Sequence, residues 1–192
     1  MLLPGAVNEL QVGRPGSVAA LRHSAEHGEQ VLVVLQRDPD VDDPGPDDLH
    51  QIGTTCRVTD AERMSAEAAC VGVLGVERVR LRLVERSGDA LFAEVEPLAW
   101  DPVEPPMPEL LKESLFFLID QGLCAQFSAR TFQALQIATT VERVTALSVL
   151  APIDAAQLQG VLERAELEPI VAALLTLRDE SWLARLLKWI RR

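Results

Sequence analysis

Apolar residues along the chain follow two rhythms that change over near residue 97. Before it, short β-branched runs recur. Val31-Leu32-Val33-Val34-Leu35 is continuous, as in a strand buried on both faces, while Val79-Arg80-Leu81-Arg82-Leu83 alternates, as in a strand with one wet face. Ser87-Gly88-Asp89 and Met64-Ser65-Ala66-Glu67 separate such runs and predict antiparallel hairpins. One helix interrupts this half. Ser17 is its expected N-cap, Val18, Ala19, Leu21 and Ala25 lie on its stripe, and Gly28 stands where a left-handed residue would end it.

Pro97, Pro102, Pro105, Pro106 and Pro108 then break the pattern, because proline lacks an amide donor and fixes φ. Beyond them the spacing is helical. Leu110, Leu111, Leu115, Leu118 and Ile119 share a face before Gly122, and Ser128 can cap the next segment. Thr139 with Glu142 forms a capping box for a helix to Leu150, Asp154 can cap another, and Pro169 suits the first turn of the last. The expected class is α+β: a β-rich domain over 1–97, a proline-rich linker over 98–108 and a helical bundle over 109–192.

Charge narrows the partners. The 192 residues carry a net charge of −11, and residues 1–108 hold 19 acidic against 9 basic side chains. Nucleic acid binding needs a basic face, so it is not expected. Cys56, Cys70 and Cys124 are too sparse for a disulfide framework and form no C-x-x-C pair, which predicts free thiols in a reducing compartment. Neither a signal peptide nor an apolar run of membrane-spanning length is visible, and the expected location is the cytoplasm.

Several clusters invite chemistry and read more simply. Six aspartates fall between Asp38 and Asp48, but Pro39, Pro44 and Pro46 break the alternation of a calcium loop, leaving a solvated, stiffened connector in which Asp47 and Asp48 cap a turn at Leu49. His23 and His27 share a helix face without a third ligand nearby, so no metal site is expected. At the C-terminus, Trp182, Leu183, Leu186, Leu187, Trp189 and Ile190 occupy one arc of a helical wheel, and Arg185, Lys188, Arg191 and Arg192 the other. That arc would close the bundle or a dimer; the alternative is docking on a membrane surface or a partner.

Three segments carry a family resemblance. Arg37-Asp38-Pro39-Asp40-Val41-Asp42-Asp43-Pro44 through Asp47-Asp48-Leu49-His50-Gln51-Ile52-Gly53 resembles the acidic loop of the N-terminal domains of ATP-dependent Lon proteases. Val73-Leu74-Gly75-Val76-Glu77-Arg78-Val79 is similar to that family's V-x-G-x-x-R strand turn, and Leu91-Phe92-Ala93-Glu94-Val95-Glu96-Pro97 to its final strand. Leu2-Leu3-Pro4-Gly5 to Val12-Gly13-Arg14 resembles the opening, although the family's preceding strand is mostly missing, which would leave an unpaired sheet edge. His50 stands where the family has an aromatic residue and is expected to be a half-buried anchor.

The resemblance implies a PUA-like antiparallel β-barrel with one or two helices, and a non-enzymatic, stand-alone substrate-recognition module that needs no cofactor. Within these residues no Gly-Lys pair exists to build a phosphate loop, and Lys112 and Lys188 are the only lysines, neither in a peptidase motif. The implied partners are exposed or unfolded segments of other proteins, and self-association is expected. Leu49, Met64, Trp100, Phe116, Phe117, Trp182, Leu186 and Trp189 are the candidate contact residues. The rival expectation is a regulatory or structural partner of Lon, or of the membrane surface, acting through the C-terminal helix.

Overall fold

The computed structural model describes residues 1–65, 68–100 and 140–176. The chain divides into two compact units, Met1–Ala99 with Asp154–Ala165, and Trp100–Ile153 with Glu166–Arg192.

The first unit contains β1 (Val7–Val12), α1 (Pro15–His27), β2 (Val31–Val33), β3 (Ile52–Met64), β4 (Ala69–Ser87) and β5 (Ala90–Pro97). All ladders are antiparallel. β4 is the spine: β3 follows it along residues 69–80, while β1 takes 69–74 and β5 takes 79–87 on the opposite edge. The pairing path runs β1-β4-β3-β2, with β5 joined to β4. Register shifts interrupt β3 on β4, and one lies between Leu81 and Leu83 against β5; such irregularities bend and twist a sheet locally.

The alternation of β4 is clear over Ala69, Val71 and Val73, which are buried, with Cys70, Gly72 and Leu74 between them half-buried. Leu2, Ala6, Leu21, Cys56, Ala69, Val71 and Val73 form the core, and Leu10, Val12, Val31, Val33 and Val58 pack on it. The opening residues fill the interior. Leu2 and Leu3 are buried, the Thr54 hydroxyl donates to the Leu2 carbonyl at 2.7 Å, the Gly5 amide donates to the Gly75 carbonyl at 2.8 Å, and the Gly75 amide donates to the Ala6 carbonyl at 2.9 Å.

Two local expectations need correcting. Ser17 is not the N-cap, since α1 begins at Pro15 with Arg14 as the cap residue; proline's missing amide costs nothing in the first turn, so the helix starts earlier. The run Val31 to Leu35 is not a doubly buried strand. Only Val31–Val33 pair, they are half-buried, and their one partner is β3, because β2 ends the pairing path. Gly28 does end α1 at φ 70°, and Gly88 turns the β4–β5 hairpin at φ 59°.

α2 (Thr140–Leu147), α3 (Ala155–Arg164) and α4 (Glu168–Thr176) are the later helices. In the second unit α2 runs on through a 3-10 turn, Ser148–Leu150, to the predicted end, and α4 carries Pro169 at its second position. Thr139, the expected box residue, lies outside the described residues, as do Ser128 and the leucine stripe from Leu110. Val144, Leu147, Ile170, Val171 and Leu174 are buried within that unit.

α3 departs from the expected division. Its sequence placed it in the bundle of 109–192, but it belongs to the first unit. Asp154 caps it as expected: its carboxylate accepts from the Gln157 amide at 2.8 Å, and the Gln157 side chain accepts from the Asp154 amide at 2.9 Å. Replacing Asp154 with Ala should cost about 1 kcal/mol in urea unfolding, the usual worth of such a cap; a change below measurement error would show that α3 is held by its packing alone.

Candidate functional site

The acidic stretch folds as a closed loop on the first unit. Its neck is an antiparallel bridge between Gln36 and Leu49, flanked by the Arg37 amide donating to the Asp48 carbonyl at 2.7 Å and the His50 amide to the Leu35 carbonyl at 2.9 Å. Inside, Pro46–Asp48 make a 3-10 turn, and the Asp48 carboxylate accepts from the Gly45 amide at 2.7 Å. Arg14 donates to the Gln36 side chain and, at 3.0 Å, to the Pro39 carbonyl. At the far side Arg86 of β4 donates to the Asp43 carboxylate at 2.9 Å and the Pro44 carbonyl at 3.1 Å. So the connector is solvated, as expected, yet pinned at neck and flanks, with Asp40, Asp42 and Asp47 turned to solvent. Among the described residues no group of three or more His, Cys, Asp or Glu side chains is placed to hold a metal ion.

Beside the neck sits α3, fastened by polar groups. Arg78 of β4 is 6% exposed, and its guanidinium donates to the carbonyls of Leu162 at 2.6 Å and Ala99 at 2.7 Å, with Glu163 at 3.5 Å. A cation suits that place, because the last carbonyls of a helix are unpaired and carry its negative dipole end. The same end turns at Ala165, which adopts φ 60°. The buried Gln159 amide donates to the Ile52 carbonyl at 3.0 Å and to the Glu163 carboxylate at 3.1 Å. His50 completes the set at 2.8 Å from the same carboxylate oxygen, half-buried as expected of an anchor. Burial alone would raise the Glu163 carboxyl's pKa; the hydrogen bonds of Gln159 and His50 and the charges of His50 and Arg37 outweigh it and hold the pKa below its ordinary value.

Burial pushes the Cys56 thiol up to about 12, far from the thiolate that reacts, and it lies in the core. Cys70 is half-buried. His23 and His27 stack at 4.0 Å, His23 meets Phe92 edge-on at 4.8 Å, and His23 pairs with Glu29 at 3.3 Å. What the first unit offers is surface: an acidic loop and a hairpin that exposes Leu83, Phe92 and Val95.

The candidate contact residues are scattered. Leu49 closes the loop neck and is half-buried, whereas Met64 ends β3, a 13-residue strand that starts at Ile52, so the two stand at opposite ends of that strand. Trp100 is half-buried and falls in the second unit. Phe116, Phe117, Trp182, Leu186 and Trp189 lie outside the described residues. Glu163, Gln159 and Arg86 carry no mark in the sequence, and Arg14 stands there only at the end of the opening motif. Arg78 was visible only as a letter of a motif, because Glu77 before it and Arg80 and Arg82 after it leave no local mark that this arginine is the buried one.

The antiparallel strand layer with few helices is the fold of Lon N-terminal domains. The sequence model of the ATP-dependent protease La (LON) substrate-binding domain matches residues 1–177, and the chain belongs to that family. Lon protease 2 of Thermus thermophilus is 32% identical over 126 residues, covering 64% of this chain and 16% of that protein. Lon protease 4 of Sorangium cellulosum is 49% identical over 65 residues, 34% of this chain and 8% of that one. The chain thus spans a small part of the length of these relatives. The N-terminal domain of Mycobacterium avium complex Lon protease shares the fold at TM-score 0.59 and 16% identity, covering 92% of this chain and 91% of that one. The Lon N-terminal domain protein from Xanthomonas campestris does so at 0.55 and 20%, with 92% of each chain covered. No helix among the described residues is long and apolar enough to cross a membrane.

Proposed function

We propose that this chain is a non-catalytic protein-binding module that holds exposed or unfolded segments of other proteins. The observation that carries the reading is the match of a substrate-binding domain over residues 1–177. It is supported by the absence of a phosphate loop from the 192 residues and by the exposed apolar side chains on the β4–β5 hairpin. In this reading the strand layer is a PUA-like barrel, residues 98–108 are a linker, and the later helices form a bundle that lends α3 to the barrel. Binding would draw on apolar burial, worth about 25 cal/mol per Å² before ordering costs. Leu49, Met64, Trp100, Phe116 and Phe117 remain the proposed contacts, and Trp182, Leu186 and Trp189 the proposed self-association face.

The test is fluorescence anisotropy with a labelled, reduced and alkylated client protein and with the same client folded. Micromolar binding of the unfolded form alone is expected, with neither ATP hydrolysis nor client cleavage. Equal binding of both forms, or of neither, overturns the reading. Loss of all binding on removing residues 178–192 would instead favour a partner- or membrane-docking helix.

A further inference from the structure

The contact between the loop neck and α3 is made by two groups that change charge, and it stays within reach of water. His50 and Glu163 are 2.8 Å apart, with side chains 23% and 44% exposed. Neither needs unfolding to exchange a proton. Yet the carboxylate also shares the Gln159 amide, which in turn holds the Ile52 carbonyl at the start of β3. The pair therefore sits at the rim of a buried polar chain fastening the helix to the sheet.

We propose that the His50–Glu163 contact is a proton-operated latch that tightens α3 on the strand layer when the imidazole is charged and loosens it when the imidazole is neutral. The physical step is small and defined. A neutral imidazole gives Glu163 one hydrogen bond, whereas an imidazolium adds to that bond the attraction of opposite charges. The groups facing the pair do not cancel this. Arg37 from the loop neck adds positive charge near Glu163, Arg78 of β4 reaches the Glu163 backbone carbonyl at 3.5 Å, and Asp48 spends its carbonyl on the Arg37 amide and its carboxylate on the Gly45 amide.

The sign follows from each partner. The Glu163 carboxyl is held below its ordinary value, so its contribution is present above the unfolded-state pKa and is lost only as pH falls through the lower folded value. An imidazole ordinarily gives up its charge between about pH 5 and 8 on the way up. The helix is thus held hardest in the mildly acidic window between these two events. Release would uncover Val161 and Leu162, both fully buried.

The test is native-state hydrogen exchange of the amides of Leu158 to Leu162, corrected for the intrinsic effect of pH, with the β4 amides of Val71 and Val73 as reference. In the wild-type chain, opening of α3 relative to that reference should be about two- to fivefold rarer at pH 6 than at pH 8, the worth of a half-exposed ion pair. His50→Gln keeps a donor that does not titrate, and Glu163→Gln removes the anion; either should abolish the difference. A wild-type chain with no pH difference, or a difference that survives in both variants, overturns the latch.

Discussion

Replacing Gly75 with Ala should destabilise the first unit by about 3 kcal/mol or more, read as the midpoint of urea unfolding. Gly75 tolerates no side chain, because a Cβ there would collide with the Leu3 carbonyl oxygen and lie 2.9 Å from its carbon and 3.2 Å from the Pro4 Cα. These are backbone atoms and cannot swing aside. To admit a methyl group the opening segment must leave β4, breaking the two backbone hydrogen bonds that join Gly75 to Gly5 and Ala6 and lifting Leu2 and Leu3 out of their buried places. Fully burying a leucine is worth about 1.5–3 kcal/mol, so losing two outweighs any gain in helix or strand propensity from alanine. If that is the route, Leu3→Ala and Gly75→Ala will cost less together than the sum of each alone, since the second change removes what the first has already lost. Strict additivity, or a cost under about 0.5 kcal/mol for Gly75→Ala, the usual size of a surface change, would mean that the opening segment is not held there.

The second large effect is expected at Arg78. Cutting it to Ala leaves the Leu162 carbonyl buried without its donor, at about 1–3 kcal/mol, and takes a partner from the Ala99 carbonyl, whose residue is exposed, so it should cost roughly 2–4 kcal/mol in total. Lysine should recover only part of this, because a single ammonium cannot fork to carbonyls on two segments as the planar guanidinium does. The loss should be visible locally before it is global: amides of α3 should exchange faster at denaturant concentrations where β4 is still protected. Full stability in Arg78→Met would show that the site wants volume rather than donors.

Local signals carried the sequence reading, and tertiary ones escaped it. Gly28 and Gly88 could be assigned because a left-handed residue has few alternatives, and Asp154 because a carboxylate three residues before a glutamine closes a box by itself. Ser17 misled for the converse reason: a serine near a helix start resembles a cap, but Pro15 two residues earlier can begin the helix with no donor to satisfy. The placement of α3 could not be read locally. Its buried face includes Gln159, a residue a hydropathy pattern assigns to solvent, and the groups that hold it, Arg78 and the Ile52 carbonyl, lie far away in the chain. The acidic loop was visible through its composition, but what pins it was not, because Arg14 and Arg86 come from α1's cap and from the far end of β4.

The first unit is assembled from two stretches of chain separated by residues 100–153. During synthesis, the strands and α1 emerge first and must wait for α3 while that whole intervening stretch is made. At about 5–20 residues per second the delay is several seconds, far longer than a hairpin needs to form. For that interval the carbonyls and the apolar strip that α3 will cover stand open, and a nascent chain in this state is the one most exposed to capture by chaperones.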